Sequence, residues 1–312
     1  MQHSPPGAAR EADRHQAGIG AATFDHCTWL VTPGATPARF EASMTSGADV
    51  ALLDLEDSVP LVGKDAARAD VLDFVGRGDK AGDGSPTLGV RVNAPCTVDG
   101  LKDLLALAES RLWPDVLLVP KVETARDVDL VARIMDTAQG RCRIWALIET
   151  PRAIRNLSAI LRSPALAGVL FGAADYAAAA GCALTDKALW YPRAALAAGA
   201  AAADLPAVDS PCFAVRDPDG LRQETQDAVE LGFVGKVAIH PGQLPVIRAV
   251  FRPDPRDLAA ARAVVGAADA AGGGITTVDG RMVGPPLVAA ARALTARADQ
   301  TPRSPHIQGD PR

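Results

Sequence analysis

The sequence predicts an α/β fold, a TIM (β/α)8 barrel with a C-terminal helical extension. Three observations carry this prediction. Short runs of leucine and β-branched residues alternate with alanine- and leucine-rich stretches of helical character, which is typical of a parallel sheet. Eight such runs follow one another within roughly 220 residues, the length that this barrel needs. No GxGxxG motif occurs in the 312 residues, whereas an open dinucleotide-binding sheet usually carries one after its first strand.

The eight predicted strands are residues 28–31, 50–55, 88–92, 116–119, 144–148, 168–171, 207–209 and 236–239. The seventh has the weakest signal, because Pro206 and Pro211 bracket a very short run. The C-terminal ends of all strands in a TIM barrel converge on one rim, where the active site is built. Polar residues that follow the strands are therefore expected to meet there.

Three further segments flank the predicted barrel, which spans residues 26–252. Residues 1–25 carry two prolines and several charges without the apolar region of a signal peptide, and we expect a disordered tail. Residues 253–300 are expected to form a helical arm that is suited to clasping a neighbouring subunit, and residues 301–312 a loose tail. Within the arm, the Asp279-Gly280 pair between two helical stretches is typical of a hairpin turn.

Composition favours a small-molecule partner. The formal net charge is −5 and the sequence contains no block of lysine and arginine, which argues against nucleic acid and anionic membranes as partners. No apolar run reaches the length of a membrane span. The five cysteines form no CxxC pair, which fits buried free thiols in a cytoplasmic protein.

Two carboxylates end consecutive predicted strands. Glu149 follows the fifth strand and Asp175 the sixth, so they should lie side by side on the rim. Neighbouring carboxylates repel each other unless a cation lies between them, and Mg²⁺ takes such ligands while leaving positions for substrate oxygens. The alternative is that each carboxylate caps the helix that follows it. His240 leaves two interpretations open, a hydrogen-bonded rim residue or a catalytic group, and is not assigned as the base.

Charged residues of both signs follow the second, third and fourth strands. Arg91 ends the third strand, where its guanidinium suits a carboxylate or a developing enolate oxygen. A purely structural ion pair of Arg91 with Glu56 or Asp57 is the alternative. Lys121 and Glu123 lie two residues apart, so we expect them to face the same side and pair, with Glu123 also orienting Arg91 or a metal-bound water.

An ordered series of motifs resembles the citrate lyase β-subunit-like family of the HpcH/HpaI aldolase group. The motifs are Trp29–Gly34, Leu53–Val59, Val90–Asn93, Pro120–Glu123, Leu147–Thr150, Phe171–Asp175, Gly235–Pro241 with Gln243, and Gly272–Gly274 followed by Asp279–Val283. No single motif decides the matter, but the series runs in order from about Trp29 to Ala298.

This resemblance implies a magnesium-dependent carbon–carbon lyase that cleaves a 3-hydroxyacyl-CoA, such as citryl-, citramalyl- or malyl-CoA. The products would be a 2-oxo acid and an acyl-CoA. The resemblance implies a homotrimer or hexamer in which the C-terminal arm reaches a neighbour's active site. By position, it makes Glu149 and Asp175 the metal ligands. Its implied catalytic residues are Arg91, Glu56, Asp57 and Glu123, and its implied substrate contacts are Arg91, Pro33, Gly34, Lys121, Ala173 and Ala174.

Two positions depart from the family pattern. Ala174 stands where relatives often have a glutamate, and Gly284 stands where relatives with malyl- or citramalyl-type activity commonly place an acid/base aspartate. Asp279 is a possible substitute, although an Asp-Gly pair usually forms a turn. Two alternatives therefore stay open: an aldolase of free hydroxy-oxo acids, and a non-catalytic binding or scaffold subunit. Lys121, Glu123 and the long extension favour the CoA-dependent lyase.

Overall fold

The computed structural model describes residues 26–77, 85–135, 142–272 and 274–300. Its barrel is a closed parallel sheet in which the strands follow chain order and β1 pairs with both β2 and β8. The strands are β1 (Thr28–Pro33), β2 (Val50–Asp54), β3 (Thr87–Arg91), β4 (Val116–Val119), β5 (Arg143–Ile148), β6 (Leu166–Phe171), β7 (Ala207–Asp209) and β8 (Gly235–Ala238). The predicted TIM barrel is confirmed. The tails expected at residues 1–25 and 301–312 lie outside the described residues.

Helices separate the strands and cover the outside of the barrel. They are α1 (Phe40–Met44), α2 (Lys64–Gly76), α3 (Val98–Ser110), α4 (Ala125–Ile134), α5 (Pro151–Arg155), α6 (Leu157–Ile160), α7 (Ala173–Ala180), α8 (Asp186–Ala202), α9 (Pro218–Leu231) and α10 (Leu244–Phe251). Several begin at a side-chain cap that the sequence supplies. Thr97, Thr150, Thr185 and Asp217 each accept a hydrogen bond from a backbone N–H of the following turn.

The strand register determines which side chains point into the barrel. Trp29 and Trp145 fill its interior with ring centroids 4.6 Å apart. Gly168 of β6 lies opposite Trp145 in the register, and a Cβ there would come within 2.5 Å of the indole ring. Because side chains alternate along a strand, the same register directs Asp54 and Arg91, which are partners at the ends of β2 and β3, toward the mouth.

The described residues from Arg252 to Gln300 belong to a second compact unit. It contains α11 (Pro255–Ala270), the antiparallel hairpin of β9 (Thr276–Val278) and β10 (Arg281–Val283), and α12 (Pro285–Gln300). Asp279 and Gly280 have φ values of 50° and 75°, as a two-residue type I′ turn requires. The hairpin expected at this pair is therefore present, and Asp279 is a turn residue.

Two expectations drawn from the composition concern membrane spans and cysteines. Among the helices that the structure describes, none combines the length and the apolar character of a membrane span. The five cysteines are all free thiols, but only Cys142 and Cys212 are buried. The expectation of buried thiols is wrong for Cys96, which is exposed because it lies in the loop that follows β3.

Replacing Gly168 by alanine should destabilise the barrel, because the new Cβ would overlap the ring of Trp145 in a packed interior. We expect the free energy of unfolding in urea to fall by about 1–3 kcal/mol. Gly63→Ala is the matched control, since the nearest atom to its Cβ is 3.8 Å away. Equal stability of the two variants would contradict this packing.

Candidate active site

The centre of the site is a buried ion pair between β2 and β3. Nε of Arg91 donates to Oδ1 of Asp54 at 2.6 Å, and Nη2 donates to Oδ2 at 2.7 Å. Asp54 is fully buried and also accepts hydrogen bonds from the backbone N–H groups of Glu56 and Ser58. This bidentate contact fixes both the position and the plane of the guanidinium.

Sequence reasoning missed Asp54. The available signal was its place within an apolar run, on the side of the strand that Leu52 also faces. Burial alone would raise the pKa of Asp54, but the charge and hydrogen bonds of Arg91, with those from Ser58 and the Glu56 N–H, hold it below its usual range. Asp54 is therefore an anion that keeps Arg91 in place.

Glu56 and Asp57 also approach Arg91, but to different degrees. Oε2 of Glu56 lies 2.9 Å from Nη1 of Arg91, and the Glu56 side chain is almost wholly buried. Burial raises the pKa of Glu56 to about 7, although the charge of Arg91 opposes the rise. Asp57 lies 3.5 Å from the same nitrogen and its side chain is 61% exposed. Arg91 thus forms ion pairs with Glu56 and Asp57, but its principal partner is Asp54.

Glu149 and Asp175 meet at the mouth, as predicted, and Lys121 lies between them. Nζ of Lys121 is 3.2 Å from Oε1 of Glu149, 2.9 Å from Oδ2 of Asp175 and 3.9 Å from Oε1 of Glu56. Through Glu56, these residues continue into the Arg91 cluster. The structure therefore brings together five of the predicted site residues: Glu56, Arg91, Lys121, Glu149 and Asp175.

The predicted pairing of Lys121 with Glu123 is wrong. The expectation rested on strand alternation, but β4 ends at Val119 and Lys121 has a left-handed backbone with φ 54°. The Glu123 carboxylate instead accepts a hydrogen bond from Thr150 Oγ1 at 3.0 Å and pairs with Arg152 at 3.2 Å. Glu123 thus contacts the start of α5, and no contact with Arg91 supports the orienting role expected of it.

The capping interpretation is wrong for Glu149. The side chain of Thr150 caps α5 by accepting a hydrogen bond from the Ala153 N–H at 3.1 Å. Asp175 lies in the first turn of α7, where the N-cap position belongs to Gly172. Neither carboxylate therefore occupies the N-cap position of the helix that follows it.

The geometry around Glu149 fits a hard divalent cation. Its Oε2 is buried and has no hydrogen-bond partner in the part of the chain described here. A Cβ at Gly172 would lie 2.7 Å from this oxygen, so glycine leaves room beside it. Burial and the charge of Glu56 raise the pKa of Glu149 to about 8, as expected for a carboxylate that is buried beside other carboxylates. Asp175, whose side chain is 40% exposed, offers the second carboxylate, and Mg²⁺ commonly takes one or two.

The remaining predicted residues line the same rim. The Gly34 N–H donates to the Asp54 carbonyl at 2.8 Å, and a Cβ at Gly34 would approach that oxygen to 2.7 Å. Pro33 ends β1 in register with Asp54. Ala173 and Ala174 open α7, where the first N–H groups of a helix have no carbonyl in a preceding turn.

His240 is a hydrogen-bonded rim residue. Its Nδ1 accepts from the Gly242 N–H at 3.0 Å and so caps the short 3₁₀ turn over Pro241–Gln243. The first of the two interpretations left open for this histidine therefore agrees with the structure.

Comparison with known proteins identifies the family to which this arrangement belongs. The profile of the HpcH/HpaI aldolase/citrate lyase family matches residues 28–241, from the first strand of the barrel to just beyond the last. The chain belongs to this family. The resemblance indicated by the sequence motifs is confirmed, and with it the enzyme class, a carbon–carbon lyase of the HpcH/HpaI aldolase/citrate lyase family.

Two curated relatives come from Cereibacter sphaeroides. A (3S)-malyl-CoA thioesterase is 33% identical over 283 residues, covering 86% of this chain and 93% of the relative. An L-malyl-CoA/beta-methylmalyl-CoA lyase is 33% identical over 303 residues with the same coverage.

A solved structure of CitE from Mycobacterium tuberculosis contains magnesium, acetoacetate and coenzyme A. It is 30% identical to this family member, with a TM-score of 0.75, and the match covers 90% of this chain and all of that one. The sequence predicts magnesium as the cofactor and an acyl-CoA as the substrate class, and magnesium and coenzyme A are both ligands of this relative.

Asp54→Asn should destabilise the fold, because it removes the principal carboxylate that pairs with the buried Arg91. We expect a loss of about 3 kcal/mol in the free energy of unfolding at neutral pH, against less than about 0.5 kcal/mol for Asp57→Asn. The pKa of Asp54 is lowered in the folded state. The stabilisation that its carboxylate contributes is therefore present above about pH 4 and is lost as the pH falls further. The free energies of unfolding of the two variants should therefore become similar in acid. A difference between them that is the same at every pH would contradict the role given to Asp54.

Proposed function

We propose that this family member is a magnesium-dependent lyase that cleaves a 3-hydroxyacyl-CoA of the citryl-, citramalyl- or malyl-CoA type into a 2-oxo acid and an acyl-CoA. The observation that carries the proposal is the juxtaposition of an unpartnered buried carboxylate oxygen on Glu149, the Asp175 carboxylate and the immobilised Arg91. Together they offer a metal site and a fixed cation for two anionic oxygens at one barrel mouth.

The reaction determines which groups are needed. A proton leaves the 3-hydroxyl group, the C2–C3 bond breaks, and its electron pair moves onto the thioester as an enolate, which then takes a proton at carbon. When bound by Glu149 and Asp175, magnesium would supply Lewis-acid polarisation of the oxo-acid carbonyl. Arg91 holds positive charge beside the oxygens that become negative, and Asp54 prevents it from turning away.

We assign the proton transfer to Glu56. Its Oε2 is buried beside Arg91 without a well-formed hydrogen bond. Its pKa of about 7 suits a group that both accepts and donates a proton near neutral pH. The resemblance implies an acid/base aspartate at position 284, but this chain has Gly284, which has no side chain for this task. Asp57 and Glu123 are proposed to shape the entrance from more exposed positions, at 61% and 31% exposure.

The substrate-binding residues follow from the same arrangement. The N–H groups of Ala173 and Ala174 at the start of α7 suit the carboxylate of a 2-oxo acid. Pro33 and Gly34 form the opposite wall beside Asp54, and Lys121 adds positive charge for an anionic substrate. The absence of a side chain at Gly34 lets this wall approach β2 closely.

Assembly and location also belong to this proposal. We propose a homotrimer or hexamer in which residues 253–300 form an arm that reaches a neighbour's site, as the resemblance implies. Ile275, Met282 and Leu287 support this proposal, because each is more than half exposed in the C-terminal unit. The free state of the cysteines supports a cytoplasmic location. Light scattering of the full chain tests the assembly.

Glu149→Gln and Asp175→Asn should each weaken Mg²⁺ binding and abolish metal-dependent release of the 2-oxo acid, because each removes one charged ligand. Calorimetric titration with Mg²⁺ and an assay of the oxo acid check the two effects separately. Glu109→Gln, which changes an exposed carboxylate on α3, is the control and should behave as the wild type. Full turnover in either ligand variant would refute the metal assignment.

The products distinguish the lyase from its alternatives. With malyl-, citramalyl- and citryl-CoA as substrates, we expect equal amounts of acyl-CoA and 2-oxo acid. Release of free CoA with an intact hydroxy acid would indicate a thioesterase, the activity named for one relative. Turnover of free hydroxy-oxo acids alone would indicate an aldolase, and neither binding nor turnover of any substrate would indicate a scaffold subunit.

A further inference from the structure

Lys121 adopts a backbone conformation that a lysine has no local reason to adopt. Its φ of 54° lies in the left-handed region, where a residue with a Cβ is disfavoured by about 1–2 kcal/mol. Glycine, asparagine and aspartate tolerate this region more readily. Such strain persists where the surrounding structure compensates for it, and it is common at functional sites.

The left-handed turn brings the backbone N–H and the side-chain ammonium group of Lys121 close to one oxygen. The backbone N–H donates to Oε1 of Glu149 at 2.8 Å, and the side-chain Nζ lies 3.2 Å from the same atom. The second oxygen of this carboxylate, Oε2, keeps no hydrogen-bond partner among the described residues. One residue thus occupies one oxygen of Glu149 and leaves the other available.

The ammonium group also lies where the charges of the site converge. Nζ is buried and lies within 4 Å of carboxylate oxygens on Glu149, Asp175 and Glu56. Arg91, the other cation of the cluster, is engaged by Asp54 and Glu56. Lys121 is therefore the cation that offsets the repulsion between Glu149 and Asp175.

We propose that Lys121 is an internal counter-ion that competes with Mg²⁺ for the space between Glu149 and Asp175. The inference rests on the proposed function, since it takes these two carboxylates as the metal ligands. Entry of the divalent ion displaces the ammonium group from Asp175, while the backbone N–H continues to hold Oε1 of Glu149. The displaced ammonium moves toward the open mouth and becomes available to an anionic substrate. Lys121 thus sets the metal affinity and links metal binding to substrate binding.

The test is the Mg²⁺ affinity of the full chain without substrate, measured by calorimetry for the wild type, Lys121→Met and Lys121→Arg. Loss of the competing charge in Lys121→Met should tighten Mg²⁺ binding by about tenfold or more. Lys121→Arg, which keeps the charge, should bind no more tightly than the wild type. Lys102→Met, which removes a half-exposed lysine paired with Asp65, is the control and should not change the affinity.

A second measurement uses the wild type and does not depend on the folding of a variant. Lysines are acylated briefly with and without Mg²⁺, and the modified peptides are quantified by mass spectrometry. Because Nζ of Lys121 is buried between the carboxylates, we expect Mg²⁺ to increase its acylation, while Lys102 serves as the internal reference. Unchanged or reduced acylation of Lys121 would overturn the proposal.

The failures of the two proposals are distinguishable. If the wild type binds Mg²⁺ through Glu149 but Lys121→Met binds it equally or more weakly, the counter-ion role is wrong and the metal site stands. If neither the wild type nor Lys121→Met binds Mg²⁺, the proposed metal site is wrong and the counter-ion role fails with it.

Discussion

The buried pair of Asp54 and Arg91 is the interaction on which the rest of the site depends. A carboxylate with no exposure is stable at the end of a barrel strand only because a guanidinium and two backbone N–H groups compensate its charge. The closed sheet makes the pairing possible, since the register places these residues side by side and facing inward. With Arg91 fixed by Asp54, its remaining nitrogen is directed toward Glu56.

A surplus of negative charge governs the other half of the mouth. Glu56, Glu149 and Asp175 share a single ammonium group, and the pKa values of about 7 and 8 for the two glutamates follow from burial together with this crowding. Such an arrangement does not favour the stability of the fold, because like charges that lie close together repel. It is suited to a divalent cation and an acid/base group, and the family to which the chain belongs has a relative that contains magnesium at 30% identity.

The interior of the barrel and the residues of its rim have different roles. Interior packing of Trp29 against Trp145, with Gly168 making room, fixes the strands whose ends carry the site. Rim residues such as Arg91 and Asp175 belong to regular structure, whereas Lys121 lies beyond the end of β4 and has a left-handed backbone. Positions of this kind place side chains that an ideal strand or helix would direct elsewhere.

The sequence by itself determined the barrel, its eight strands, the C-terminal hairpin and the meeting of Glu149 with Asp175. These follow from periodicity, turn chemistry and the rule that parallel strands end at one rim. Only the tertiary structure decided which side chains pair with one another at the barrel mouth. Asp54 lies within an apolar run of the sequence, which does not reveal its bond to Arg91. Strand alternation predicts a pair of Lys121 with Glu123, but β4 ends at Val119. Contacts between side chains on different strands depend on register and local backbone turns, which a single sequence does not specify.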